Sequence, residues 1–265
     1  MTRSLSRMLL SLVNLLGFAA ALVVNALATT LPLGGRTTGQ LSDQYPNLFV
    51  PAGLTFSIWG LIYLLLALFI VYCFIFSARE AGTGDSFMEK IGVLFFITCL
   101  ANLGWIFAWQ YQILPLSLVL MIILLCTLIL IYARLDVGRA SASSAEKYLV
   151  HLPISIYLGW ISIATIANVT AVLVAWHWTR FGMSEQFWAV IMILAGIALA
   201  GLMLFRRNDV FYALVVGWAL VGILLKRIAD MATPAPWVVR ATLVGVCLIT
   251  LGVLVQIARR RVYRR

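Results

Sequence analysis

Residues 52–77 read AGLTFSIWGLIYLLLALFIVYCFIFS, a run without one charged side chain. The run exceeds the roughly 20 apolar residues that a helix needs to cross a bilayer. In hydrocarbon every backbone N–H and C=O must find its partner inside the segment, and that selects a helix. The run also carries a finer pattern. Phe56, Trp59 and Tyr63 recur at helical spacing and so share one face.

Two other apolar runs carry a stripe of the same kind. Asn102, Trp105 and Trp109 line one helix face, and Tyr157, Trp160, Ala164 and Asn168 line another. A carboxamide in hydrocarbon is costly without a hydrogen-bond partner, so Asn102 and Asn168 are expected to face the bundle interior. Their aromatic neighbours would turn inward with them. Stripes that converge would line an apolar pocket with a few fixed polar groups, the usual form of a small-molecule site.

The whole chain has the composition that these runs imply. It has 265 residues, of which 63% are hydrophobic and 11% charged, too few charges to cover a soluble domain. The uninterrupted runs differ from the alternating strands of an outer-membrane barrel. The expected fold is an all-α polytopic membrane bundle of about eight spans. They lie near 8–29, 52–77, 89–110, 113–134, 150–176, 186–206, 209–227 and 237–258. Arg3 and Arg7 before the first run resemble a signal peptide. The run is too long for one and holds Asn14 and Asn25, so it is expected to remain as a helix.

The net charge of +10 invites a nucleic-acid reading, which the placement of the charges rejects. Taking the N-terminus as cytoplasmic, fourteen of the 19 basic residues fall in inside segments. These are Arg3, Arg7, Arg79, Lys90, Arg134, Arg139, Lys147, Arg206, Arg207 and the five arginines of 259–265. Arg36, Arg180, Lys226, Arg227 and Arg240 fall outside. The positive-inside rule then places both termini in the cytoplasm, in a plasma or inner membrane. Cys73, Cys99, Cys126 and Cys247 lie in apolar runs and read as small buried hydrophobes.

The long irregular stretch from Leu31 to Val50 holds Pro32, Gly34, Gly35, Gly39, Pro46 and Asn47. It reads either as a connector in which Arg36 pairs with Asp43, or as a lid over the bundle mouth. An acidic loop (Glu80, Gly82, Gly84, Asp85) precedes the third run. Ser184 is placed to cap the sixth. Gly17 with Ala21, Gly196 with Ala200, and Ala213 with Gly217 suit close helix packing. Trp188, Trp218 and Trp237 near helix ends read as interface-belt aromatics. Asp230 is expected to pair with Lys226 one turn away. By content the chain divides into residues 1–178, holding all three stripes, and residues 179–265, holding three further helices.

These residues resemble the TspO/MBR family, the tryptophan-rich sensory and translocator proteins. Pro51, Gly53, Phe56, Trp59, Gly60 and Tyr63 are similar to its second-helix signature. Asn102, Trp105 and Trp109 are similar to its third-helix pattern, and Trp160, Ala164, Thr165 and Asn168 to its fifth. The likeness covers residues 8–178. Ser57 stands where the family usually has Pro, Pro153 lies one turn further from Trp160, and three C-terminal helices are added. The fifth helix lacks the Tyr of the family's sterol motif, although Leu130, Tyr132 and Arg134 match that loose pattern elsewhere.

The resemblance implies a five-helix bundle that holds a planar hydrophobic ligand, above all a tetrapyrrole such as protoporphyrin IX or haem. The implied pocket residues are Phe56, Trp59, Tyr63, Asn102, Trp105, Trp109, Trp160, Ala164 and Asn168; the stripe adds Tyr157. Some family members promote light-dependent porphyrin breakdown, and members often dimerise, so a homodimer is an expected partner beside the bilayer.

Other readings stay open on the residues alone. Asn102 and Asn168 could serve as interhelical glue, worth roughly 0.6–2 kcal/mol. His151 and His177 have no acid or thiol at ligand spacing, so no metal is expected. No Ser/His/Asp set, paired carboxylates or phosphate loop appears, so no catalytic residue is assigned. Charged groups at mid-membrane are nearly absent, which disfavours ion-driven transport. The expected function is a membrane binding and sensory protein, with a permease component for a small apolar solute as the alternative.

Overall fold

The computed structural model describes residues 3–30, 35–78 and 87–262. The acidic loop around Glu80 and Asp85, Pro32 and Gly34, and the terminal Arg264 and Arg265 lie outside them. Seven helices among the described residues are long and apolar enough to cross a membrane. The protein is an integral, multi-pass, all-α membrane protein, and no strand occurs among the described residues.

In chain order the elements are α1 (Arg3–Thr30), α2 (Thr38–Ser42), a 3₁₀ turn (Gly53–Ser57), α3 (Ile58–Ala78), α4 (Phe87–Ile91), α5 (Leu94–Gln110) and α6 (Leu114–Arg134). There follow α7 (Ser144–Glu146), a π turn (Lys147–His151), α8 (Leu152–Ala175), a second 3₁₀ turn (Arg180–Gly182), α9 (Glu185–Arg207), α10 (Val210–Ala229) and α11 (Pro236–Val262).

The third expected span, 89–110, is shorter than the sequence pattern predicts. Gly92 takes a left-handed φ of 52° and separates α4 from the 17 residues of α5. That length sits at the lower limit for a bilayer crossing. The expected boundary at Arg206–Asp209 is tight for a definite reason. Asn208, at φ 55°, ends α9, and the Asp209 carboxylate caps α10 by accepting from Phe211 and Tyr212 N–H at 3.1 Å. Ser184 caps α9, accepting from Phe187 N–H at 3.2 Å.

Contacts group the chain into two compact units. The first is residues 1–37 with 59–158, and the second is 38–58 with 159–265. In the first unit α1 and α5 pack closely, because Gly17 faces Phe96 and Cys99 where a methyl group would not fit. Buried Arg7 pairs with Glu89 at 2.8 Å. Thr98 and Thr127 join α5 to α6.

In the second unit α10 holds the segment that precedes α3. The Ala52 N–H donates to the Gly222 carbonyl at 3.0 Å, and the Trp218 indole N–H donates to the Thr55 carbonyl at 3.0 Å. Thr55 packs on the bare Cα of Gly222. Asp43 pairs with Lys226, and this corrects two expected pairings. Asp43 does not use Arg36 as its partner, and Asp230 is joined by Arg227 at 3.4 Å in place of Lys226. The Thr233 hydroxyl and N–H hold the Asp230 carboxyl below its ordinary pKa. Leu41, Leu48, Phe49 and Val50 are buried, so the segment folds as part of the unit's core.

Candidate binding site

The first unit gathers six of the ten candidate residues. Trp59 stacks on Tyr63 with centroids 5.6 Å apart, and on Trp105 at 6.0 Å. Trp105 stacks on Trp109 at 6.0 Å, one turn along α5, and Tyr157 meets Trp59 edge-on at 6.0 Å. The result is a ladder of rings, with Trp105 and Trp109 only 4% and 5% exposed. Stacked and edge-on pairs at these distances are attractive beyond their area.

Asn102 sits beside the ladder and is buried. Its carbonyl oxygen accepts from the Tyr63 hydroxyl at 3.1 Å and from the Asn25 amide at 2.7 Å. Asn25 also donates to the Ala21 carbonyl at 2.9 Å, which ties α1 to this node. Asn25 therefore joins α1 to α5, with Asn102 as its partner. The Asn102 amide nitrogen, the Trp105 indole nitrogen and the Gln110 side-chain oxygen are buried with no hydrogen-bond partner among the described residues. Such groups are rare in native interiors and call for a reason. Gln110, whose amide reaches the Ala28 carbonyl at 3.5 Å, was missed by the aromatic spacing. It lies one position past Trp109, off the stripe but on the buried side of α5.

The second unit holds the remaining four. Phe56 meets Trp160 edge-on at 5.9 Å, with the rings 83° apart. Asn168 is buried and Ala164 is half-buried on the same helix, α8. Phe56 does not continue the helical stripe of Trp59 and Tyr63. It lies in the 3₁₀ turn ahead of α3, which Trp218 and Gly222 hold in that form. The ten residues thus divide six to the first unit and four to the second, where Phe56 and Trp160 are in contact.

A cavity of about 680 Å³ lies in the second unit, away from every expected residue. Ile166, Val169 and Leu173 of α8 face Ile191 and Met192 of α9 across it, and Pro46, Asn47 and Leu48 also line it. His177, Trp178, Arg180, Glu185 and Trp188 form its rim where α8 passes into α9. The turn at that rim is strained, with His177, Arg180 and Phe181 at φ 52°, 58° and 53°. Left-handed geometry at such residues costs of order 1–3 kcal/mol each and tends to occur at functional sites. It is held by Trp178 against Trp188 at 4.9 Å and by the Trp188 indole N–H donating to the Arg180 carbonyl at 2.9 Å. Trp188 is therefore a cavity residue, and Trp218 a brace on Thr55, where both were expected to form an interface belt. Trp237 is 63% exposed and carries Arg240 over its ring. The sequence signal for the cavity was the cluster Trp176, His177, Trp178 and Arg180, followed closely by Trp188.

No group of three or more metal-ligating side chains occurs among the described residues. Residues 11–255 match the sequence family described as TSPO-like protein. The match runs well past the 8–178 that carry the helix motifs and takes in most of the last three helices. No curated protein and no solved structure matches the chain.

Proposed function

We propose, from the premise that this chain belongs to the TSPO-like protein family, that it is a membrane binding and sensory protein for a planar hydrophobic ligand of tetrapyrrole type. The observation that carries this reading is the pair of open donors on α5. The Asn102 amide and the Trp105 indole N–H are buried, unpartnered among the described residues, and set beside aromatic faces. A ligand with a flat apolar body and an accepting edge answers both features. Its body would lie against the aromatic ladder of Trp59, Trp105 and Trp109. Its carboxylate or carbonyl oxygen accepts from the two N–H groups, which relieves a desolvation cost of about 1–3 kcal/mol per group.

The chemistry supports holding and orienting a ligand. Nothing in the cluster supplies a nucleophile with a base, or a pair of carboxylates. The test is a titration of the purified full chain with protoporphyrin IX, read by quenching of tryptophan fluorescence. Trp105→Phe keeps a ring and removes only the donor. It should weaken binding about fivefold to tenfold while leaving the helical content unchanged. Unchanged affinity in that variant, or binding that never saturates, refutes the assignment. Gradient-driven flux of the porphyrin into proteoliposomes would move the reading to a permease.

A further inference from the structure

The cavity between α8 and α9 has a composition that the tetrapyrrole reading does not use. Its walls are mostly hydrocarbon, from Ile166, Val169 and Leu173 to Ile191 and Met192, with the Thr165 and Thr170 hydroxyls donating back to carbonyls of their own helix, and its 680 Å³ lies within the usual span of roughly 300–1,000 Å³ for a ligand pocket. Such walls offer water few partners, so the space suits an acyl chain. The rim is different. Arg180 and Glu185 stand there with opposite charge, and no ion pair joins them to each other or to another side chain among the described residues. Trp178 and Trp188 complete the rim, and indole rings favour the depth of lipid head groups.

We infer that this cavity binds one zwitterionic glycerophospholipid whose head carries a primary ammonium. One acyl chain lies along α8 and α9. The guanidinium of Arg180 takes the phosphate, for which its planar donors are suited. The ammonium is received by the Glu185 carboxylate and by the indole faces of Trp178 and Trp188. The strained turn from His177 to Phe181 is held by Trp188 on the Arg180 carbonyl, which positions the arginine at the mouth. Phosphatidylglycerol would offer Arg180 the same phosphate but bring no cation to Glu185. A porphyrin dicarboxylate would bring a second carboxylate against Glu185, so this site and the ladder in the first unit select different molecules.

Native mass spectrometry of the detergent-solubilised full chain tests the inference. The probes are phosphatidylethanolamine, phosphatidylglycerol, and phosphoethanolamine without acyl chains. The expected result is a single retained phosphatidylethanolamine, bound about tenfold more tightly than phosphatidylglycerol, with no adduct from the bare head group. Arg180→Gln should weaken phosphatidylethanolamine about tenfold. Glu185→Gln should erase the preference between the two lipids. Val169→Trp, which sets a bulky ring in the path of the acyl chain along α8, should weaken the adduct at least tenfold while protoporphyrin quenching persists. Equal binding of the two lipids by the wild-type chain, or an adduct that Val169→Trp does not weaken, overturns the inference. Should Val169→Trp fail to fold, the two rim variants decide alone, since neither charge is buried.

Discussion

The cluster around Asn102 and the clasp around Gly222 are both built from tryptophan and small polar groups, yet they treat hydrogen bonds in opposite ways. In the clasp the polar groups are used. Trp218 donates to Thr55, Ala52 donates to Gly222, and Lys226 holds Asp43. In the cluster Asn102 and Trp105 keep buried donors with no partner among the described residues. The fold could satisfy an indole N–H with a backbone carbonyl, as it does at Trp218. Where it leaves one open in a dry interior, the cost points to a ligand. Where such bonds tie a segment to a neighbouring helix, as at Thr55 and Ala52, the role is structural.

The largest expected effect would break the clasp. Any Cβ added at Gly222 falls within 1.9 Å of the Thr55 hydroxyl. Gly222→Leu should cost about 3 kcal/mol, the upper end for overpacking, and free the segment 43–50 for proteolysis. A thermal melt with limited digestion checks this; a chain that resists digestion as before would show that the clasp holds nothing.

Asn102→Leu strikes the cluster from the other side. It strands the Tyr63 hydroxyl and one bond of Asn25, so a loss of about 1–2 kcal/mol is expected, together with weaker porphyrin binding. A loss of stability with binding intact would make Asn102 glue only and collapse the contrast between the two regions. The smallest effect is expected for Asp43→Asn. The Lys226 pair is part-exposed, so its removal should cost at most about 0.5 kcal/mol and matter less as salt rises. A larger effect would mean that the ion pair, and not the Gly222 contact, carries the clasp.

Much of the architecture was legible because hydropathy is a local property. An apolar run long enough to cross a bilayer has few alternatives to a helix, so the spans were placed within a few residues. The cap at Ser184 acts within a turn and follows the same logic. The Trp59, Trp105 and Trp109 stripes could be read because each pairs ring with ring at helical spacing. Phe56 was assigned to the Trp59 face by that spacing and belongs instead to a 3₁₀ turn, since the groups that hold it lie on α10. Lys226 was paired with Asp230 because the sequence offers the nearest opposite charge; its partner, Asp43, is 183 positions away.

What the amino-acid order determined by itself is the class of molecule: a multi-pass helical membrane protein with aromatic-amide faces and a family signature. What only the tertiary structure decided is which polar groups are left open, where the cavity lies, and what the last three helices hold. The reason is the range of the forces. Transfer of a segment into hydrocarbon sums over that segment alone. Whether a donor is satisfied, or a space is left empty, depends on side chains that meet only after distant helices have packed.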